Sequence, residues 1–249
     1  MRSHAKGGMA NETMILVALD NHYFKDLSEK WKRHMRRMFP AIQNDDKITA
    51  MTYPHRDAKP DLMIMVGPRR VFLSIKSGHS PQVHHEPIYT FFDFLKRYEV
   101  PSRILNLLRF YHYGAAYMIG ENTKKIYSRD EIVEKYPNII KEINHYFASR
   151  EELVSEIVYR SVIKGRLDRD LIDFFYYGNA ARGYLLSVSE ILKLITCSKC
   201  ELTQTVSFKQ LTYVAASRHF GDPLQKQVKI HWPILCKWFF DEGFMKQYG

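Results

Sequence analysis

From Ile15 to Phe39 apolar residues return at helical spacing, with Phe24, Leu27, Trp31, Met35 and Met38 on one stripe and Lys30, Arg33 and Arg37 away from it. This pattern predicts a helix that Pro40 ends. The period then shortens. Lys47 to Tyr53 reads as a strand, Leu62 to Val66 is an apolar run, and beyond Gly67-Pro68-Arg69-Arg70 a second run, Val71 to Ile75, delivers Lys76. After the polar loop Ser77-Gly78-His79-Ser80-Pro81, a helix carrying Ile88, Phe91, Phe92 and Leu95 is predicted. The order is α-β-β-β-α.

Further on, Pro101 opens a helical pattern through Leu105, Leu108 and Tyr111, and Gly114 to Gly120 reads as a short strand or turn. Ser128 with Glu131, Ser149 with Glu152 and Ser187 with Glu190 have capping-box spacing at the head of apolar-periodic runs. Gly165 and Gly178 read as stops for the helices before them. Leu211 to Ser217 and Gln227 to Trp232 flank the turn-forming Gly221-Asp222-Pro223 as a second hairpin. With no internal repeat and no linker-like tract, the simplest organisation is a single α+β domain over 12–249. Its core would span 15–127, a largely helical region with short strands 128–249, and residues 1–11 would be flexible.

Composition narrows the function classes. The 249 residues are 45% hydrophobic, enough for a proper core. No apolar stretch of about 18 residues exists, and the first eight residues lack the apolar segment of a signal peptide, so a soluble cytoplasmic protein without a membrane partner is expected. Three cysteines do not suggest a disulfide scaffold. A formal charge of +10 points to a polyanionic partner, nucleic acid before membrane.

The chemistry concentrates at the first hairpin. If its two runs fold about the midpoint of the Gly67–Arg70 turn, Asp61 falls opposite Lys76. A carboxylate and an ammonium then sit side by side at the open end, a place to hold a divalent metal and activate a water. Because side chains alternate, Phe72, Ser74 and Lys76 share a face.

Pro60-Asp61 on one strand and Ser74-Ile75-Lys76 on the next, preceded by a helix and followed by another, resemble the PD-(D/E)XK nucleases of the restriction-endonuclease-like superfamily. The resemblance covers Ile15 to Tyr98 and implies a helix, three-stranded antiparallel meander and helix core. It further implies a Mg²⁺- or Mn²⁺-dependent endonuclease that hydrolyses DNA phosphodiesters, of restriction or mobile-element type. Asp61 would be the central metal ligand, the Ile75 carbonyl would contribute an oxygen, and Lys76 would orient the attacking water or stabilise developing charge. One position departs from the pattern: Ser74 stands where the family has an acid. In some restriction enzymes with Ser-x-Lys a glutamate from the following helix supplies the missing carboxylate, and Glu86 corresponds to it. Glu29 resembles an extra acid that some members carry on the first helix, and it also reads as an ordinary solvated residue.

Several residues have two readings. Asp61 and Lys76 can be a structural cross-strand ion pair, and Glu86 a helix cap. Gln82, His79, His84 and His85 are possible neighbours of the site. Cys197-x-x-Cys200 is half of a zinc site that Cys236 with His219 or His231 would complete, against plain reduced cysteines. Arg36-Arg37, Arg69-Arg70 and Lys124-Lys125 are candidate phosphate contacts. The alternative function is a nuclease-fold protein with a decayed site that only binds nucleic acid or a protein partner. Double-strand cleavage would call for two active sites, hence a homodimer.

Overall fold

A computed structural model describes residues 3–55, 58–77, 80–165, 171–196, 204–217 and 222–249. The chain divides into two compact units, where sequence suggested one domain. The first comprises Met1–Pro81, Val162–Leu192 and Ile234–Gly249, and the second comprises Gln82–Ser161 and Lys193–Pro233.

Helices α1 (Ser3–Leu19) and α2 (Glu29–Met38) open the first unit and are followed by strands β1 (Ile48–Thr52), β2 (Leu62–Val66) and β3 (Arg69–Lys76). The single helix expected over 15–39 is therefore two. Asn21 takes a left-handed φ of 65° and a short 3-10 turn covers Phe24–Asp26, before Ser28 caps α2 by accepting the Trp31 N–H. The apolar stripe survives this break, since Phe24, Leu27, Trp31, Met35 and Met38 are all buried. Upstream, α1 takes in most of the segment expected to be flexible.

β1, β2 and β3 form the expected antiparallel meander. The second unit begins with β4 (Gln82–Pro87) and the helix α3 (Ile88–Arg97). β5 (Phe174–Gly178) and β6 (Gly183–Ser187) return to the first unit, giving the sheet order β1-β2-β3-β5-β6. β5 runs parallel to β3, with Lys76 beside Tyr177, and antiparallel to β6. Gly178 thus ends a strand rather than a helix. Phe175, Tyr176 and Tyr177 are fully buried on both faces, the near-continuous apolar composition that a central parallel strand requires. α1 and α2 close one face of this sheet through Ile15, Leu19, Trp31 and Met35 on Ile64, Leu73, Ile75, Tyr176 and Leu185.

In the second unit, β4 pairs with β9 (Gln227–His231), which pairs with β8 (Leu211–Ala215) and through it β7 (Ser207–Phe208). The expected late hairpin is the β8–β9 pair. β4 was missed, because Gln82-Val83-His84-His85-Glu86 has no apolar run and its pairing is broken by a register shift at Val83. Helices follow at Ser102–Tyr113, Arg129–Lys135, Pro137–Ala148 and Glu151–Val158. Ser128 and Glu131 form the expected capping box. Ser187 and Glu190 exchange the same bonds, but Ser149 Oγ donates back to the Tyr146 carbonyl and does not cap. Beyond residue 128 helices predominate, joined among the described residues by short strands of two to five residues, as expected.

Candidate active site

Asp61 stands just before β2, and its N–H donates to the Leu73 carbonyl at 2.8 Å. The hairpin register pairs Leu62 with Leu73 and Val66 with Arg69, so Asp61 faces Ser74 and not Lys76. The turn explains the difference. Gly67 adopts a φ of 57° and is followed by the fixed negative φ of Pro68, the pattern of a two-residue type II′ loop, which moves the midpoint one residue toward the N-terminus. Each partner shifts by two, an even number, so every side chain keeps its face. Lys76 remains on the side of Asp61 as its diagonal neighbour, Nζ to Oδ2 at 3.8 Å.

The Asp61 carboxylate is held through one oxygen. Oδ2 accepts the Ile75 N–H at 2.5 Å and the Ser74 hydroxyl at 3.1 Å, while Oδ1 has no hydrogen bond among the described residues. Ser74, fully buried, thus orients the carboxylate from the position where the motif has an acid. The Lys76 ammonium donates to the Ile75 carbonyl at 3.0 Å. Carboxylate, carbonyl and ammonium consequently converge on one tripeptide.

A further acid approaches them from α1. Asn11, Ile15 and Leu19 form the buried stripe of that helix, and Glu12 is half-buried beside it. Asn11 Nδ2 donates to the Gly178 carbonyl at 2.9 Å, which ties α1 to the end of β5, next to Lys76. Burial and then the Asp61 charge raise the Glu12 pKa, against the opposing pull of Lys76. Glu12 makes no hydrogen bond or ion pair among the described residues. Lys59 belongs to the same group: buried, with Gly165 against its stem, it is lowered to about 7 by burial and by Lys76 against the attraction of Asp61.

This donor set fits a hard divalent cation. Among the described residues no three or more His, Cys, Asp or Glu side chains cluster as a closed metal cage. A carboxylate fixed on the meander, a half-buried second acid that its charge raises and the backbone carbonyl of Ile75 in β3 suit Mg²⁺ or Mn²⁺, which keep several waters. They do not suit a structural zinc site.

The same architecture occurs in a solved structure. The crystal structure of the restriction endonuclease MspI in complex with its cognate DNA superposes with a TM-score of 0.58 at 12% identity, over 91% of this chain and 89% of that one. The fold is restriction-endonuclease-like. No family model and no curated protein sequence matches the chain.

Within this fold the other expected site residues are placed as follows. Glu86 lies in β4 of the second unit, with Pro87 as the N-cap of α3 rather than its first residue. It is almost fully buried, Oε1 and Oε2 accept from Arg160 at 2.8 and 2.5 Å, and His84 Nε2 lies 3.2 Å from Oε1. Burial pushes its pKa up, but His84 and Arg160 outweigh this and hold it below the usual carboxylate value. The carboxylate charge expected to reach a metal is thereby spent on Arg160. Glu29 is solvated and paired with Lys32 at 2.9 Å. Gln82 and His85 lie on β4, His85 exposed. His79, Cys197, Cys200 and His219 fall outside the described residues. Cys236 shares a hydrogen bond with Tyr177 Oη at 3.0 Å.

The basic clusters divide by partner. Arg37 chelates Glu190 with bonds of 2.8 and 2.6 Å and Arg36 lies over Phe24, both structural roles. Arg69 and Arg70 belong to β3 at the exposed hairpin tip, and Lys125 pairs with Glu131.

Glu12 escaped sequence reasoning because the first helix was read from Ile15 onward, which left residue 12 outside any element. The available signal was the spacing Asn11, Ile15, Leu19, which continues the helix backward and brings Glu12 onto its flank.

Proposed function

We propose that the chain is a metal-dependent endonuclease that hydrolyses DNA phosphodiester bonds. The observation that carries this reading is the convergence of Asp61, fixed by Ile75 and Ser74, with Lys76 and the Ile75 carbonyl at the open end of the meander, with Glu12 of α1 as a second acid that feels the Asp61 charge. A purely structural ion pair needs no second acid, and half-buried Glu12, raised by burial and by the Asp61 charge, makes no hydrogen bond or ion pair among the described residues. DNA as substrate is supported by the charge of +10 and by the fold shared with MspI, which was solved with its cognate DNA.

Asp61 and Glu12 would hold the metal, with the Ile75 carbonyl as a third protein donor. Mg²⁺ or Mn²⁺ supplies charge stabilisation for the pentavalent transition state and acidifies a bound water. The Ile75 N–H and Ser74 hydroxyl keep Asp61 Oδ2 in place, so Oδ1 is directed without reorganisation. Lys76 presents an ammonium proton within reach of the same oxygens, where it can orient the nucleophile and offset charge that develops on the phosphate. Glu86 acts in this reading as half of a buried ion pair in the second unit, in place of the ligand role that the motif suggested.

The test is nicking of supercoiled plasmid with Mg²⁺ or Mn²⁺ by wild type and by Asp61→Ala, Lys76→Ala and Glu12→Gln. Nicking by wild type and its loss in the Asp61 and Lys76 variants is the expected result. Equal nicking in all preparations, or none in wild type, sinks the assignment. Ser74, a non-ligating residue at an acid position, favours the second reading, a DNA-binding module without hydrolysis. DNA retention by an inert wild type would establish it. Cleavage of both strands would further require two chains, and the stoichiometry on DNA measures this.

A further inference from the structure

A cavity of about 730 Å³ opens in the first unit between α2, the β5–β6 turn and the C-terminal helix Glu242–Tyr248. Lys30, Arg33, Arg182 and Lys246 line it against Glu242. Elsewhere in this unit cations meet acids, as Arg37 meets Glu190 and Lys25 meets Asp45. Here they do not. Arg33 and Lys246 are exposed and form no hydrogen bond or ion pair among the described residues. Among the described residues the Arg182 guanidinium donates to one backbone carbonyl, that of Phe239 at 2.9 Å, and lies over the Phe239 ring.

Lys30 supplies the floor. Its ammonium donates to Tyr176 Oη at 2.6 Å, to the Ala180 carbonyl at 2.9 Å and to that of Asn179 at 3.1 Å, so all three protons hold the β5–β6 turn in place. Burial and the charge of Arg33 lower its pKa to about 8. Lys30, Arg33, Arg182 and Lys246 outnumber Glu242 on this concave surface, an arrangement that raises the local potential for an anion. The turn also has a defined place in the sheet. β5 leaves the ladder beside Lys76, so Asn179–Arg182 lie beyond the same end of the sheet as the Asp61 site, two to three strand spacings from β2, ~10–15 Å.

We propose that this cavity grips backbone phosphates of the DNA strand a few nucleotides from the bond cleaved at Asp61, with Arg33 and Lys246 as direct contacts and Arg182 as a guanidinium held ready by Phe239. The inference rests on the endonuclease reading for its substrate. Phosphates follow one another at about 3.4 Å of helix rise along a strand, so an offset of this size corresponds to a contact about three to four phosphates from the cut. Backbone contacts of this kind position the duplex and carry no sequence information.

The test is the salt dependence of binding of a short labelled duplex to the full chain carrying Asp61→Ala, without divalent metal, followed by fluorescence anisotropy. Adding Arg33→Ala or Lys246→Ala should weaken binding and reduce the slope of log affinity against log salt by about one each, and Lys246→Arg should restore it. Unchanged affinity and slope in the Arg33→Ala, Lys246→Ala double variant, with an unaltered melting temperature, overturns the proposal. So does thermal stabilisation by inorganic tripolyphosphate that the double variant loses while its DNA slope stays intact, since the occupant is then a free polyphosphate. Failure of the two readings is distinguishable. A wild type that nicks plasmid while the slopes do not move refutes the cavity alone, whereas slopes that move in a protein that never nicks uphold the cavity as a DNA contact and refute hydrolysis.

Discussion

Asp61 accepts the backbone N–H of Ile75 through Oδ2 at 2.5 Å, a side chain of one strand capping the ladder of the next. Replacement of Asp61 by Ala removes both the ligand and the acceptor. Nicking should fall by on the order of 10³-fold or more, since a bound cation contributes several kcal/mol of transition-state stabilisation. Folding should suffer little at a partly exposed position, and a melting curve beside the plasmid assay separates the two effects.

Ser74 is buried and gives its hydroxyl to the same oxygen at 3.1 Å. Ser74→Ala should therefore leave the metal requirement in place and lower the nicking rate about tenfold, the cost of a less well-oriented ligand. A rate equal to wild type would assign Ser74 to packing alone.

Glu12 is raised by burial and by Asp61, against the pull of Lys76, and forms no ion pair among the described residues. Glu12→Gln should increase the Mg²⁺ concentration for half-maximal nicking by about 10- to 100-fold while relieving repulsion in the metal-free protein. A metal titration of activity and a thermal melt in chelator measure the two halves of that statement, and their opposite signs distinguish a ligand from a structural acid.

Glu86 and Arg160 form a buried, two-bond ion pair 74 positions apart in the chain. Glu86→Ala leaves Arg160 charged and uncompensated, so stability should drop by about 3–5 kcal/mol. Glu86→Leu with Arg160→Met should recover much of it. Metal titrations of the double variant should match wild type, and a specific loss of metal dependence there would return Glu86 to the ligand set.

His34 is fully buried, edge-on to Trp31 and Tyr176. Burial, with the charges of Lys30, Arg37 and Arg33, lowers its pKa from 6.5 to about 3. Above pH 6.5 it is neutral in folded and unfolded chains alike and costs nothing. Between pH 6.5 and about 3 the unfolded chain binds a proton that the folded chain refuses, so stability falls as pH falls. At pH 5 the loss is about 2 kcal/mol, read as a larger drop in melting temperature from pH 7.5 to 5 for wild type than for His34→Phe.

Much of the fold was legible along the chain. Leu62–Val66 and the run ending at Lys76 are short aliphatic stretches between turn formers, and local sterics make such segments strands in any context that buries them. The shared side of Asp61 and Lys76 was legible too, because it depends on parity and survived a register shift of two. The partner residue itself was not, because Gly67 and Pro68 allow more than one loop and only the left-handed φ at Gly67 selects between them. β4 and β5 went unseen for opposite reasons, the first having too few apolar residues and the second having them on both faces.

By itself, then, the sequence determined the meander, the side on which its acid and amine meet, and a basic chain able to bury a core, because alternation, turn chemistry and charge act within a few residues or on the whole composition. Tertiary structure alone decided that Glu12 feels the charge of Asp61 while Glu29 pairs with Lys32, that Glu86 answers to Arg160, and that Arg33, Arg182 and Lys246 line one cavity. Those are meetings of segments tens to hundreds of residues apart. They are selected by which buried surfaces fit together, and no window along the chain contains both sides of the fit.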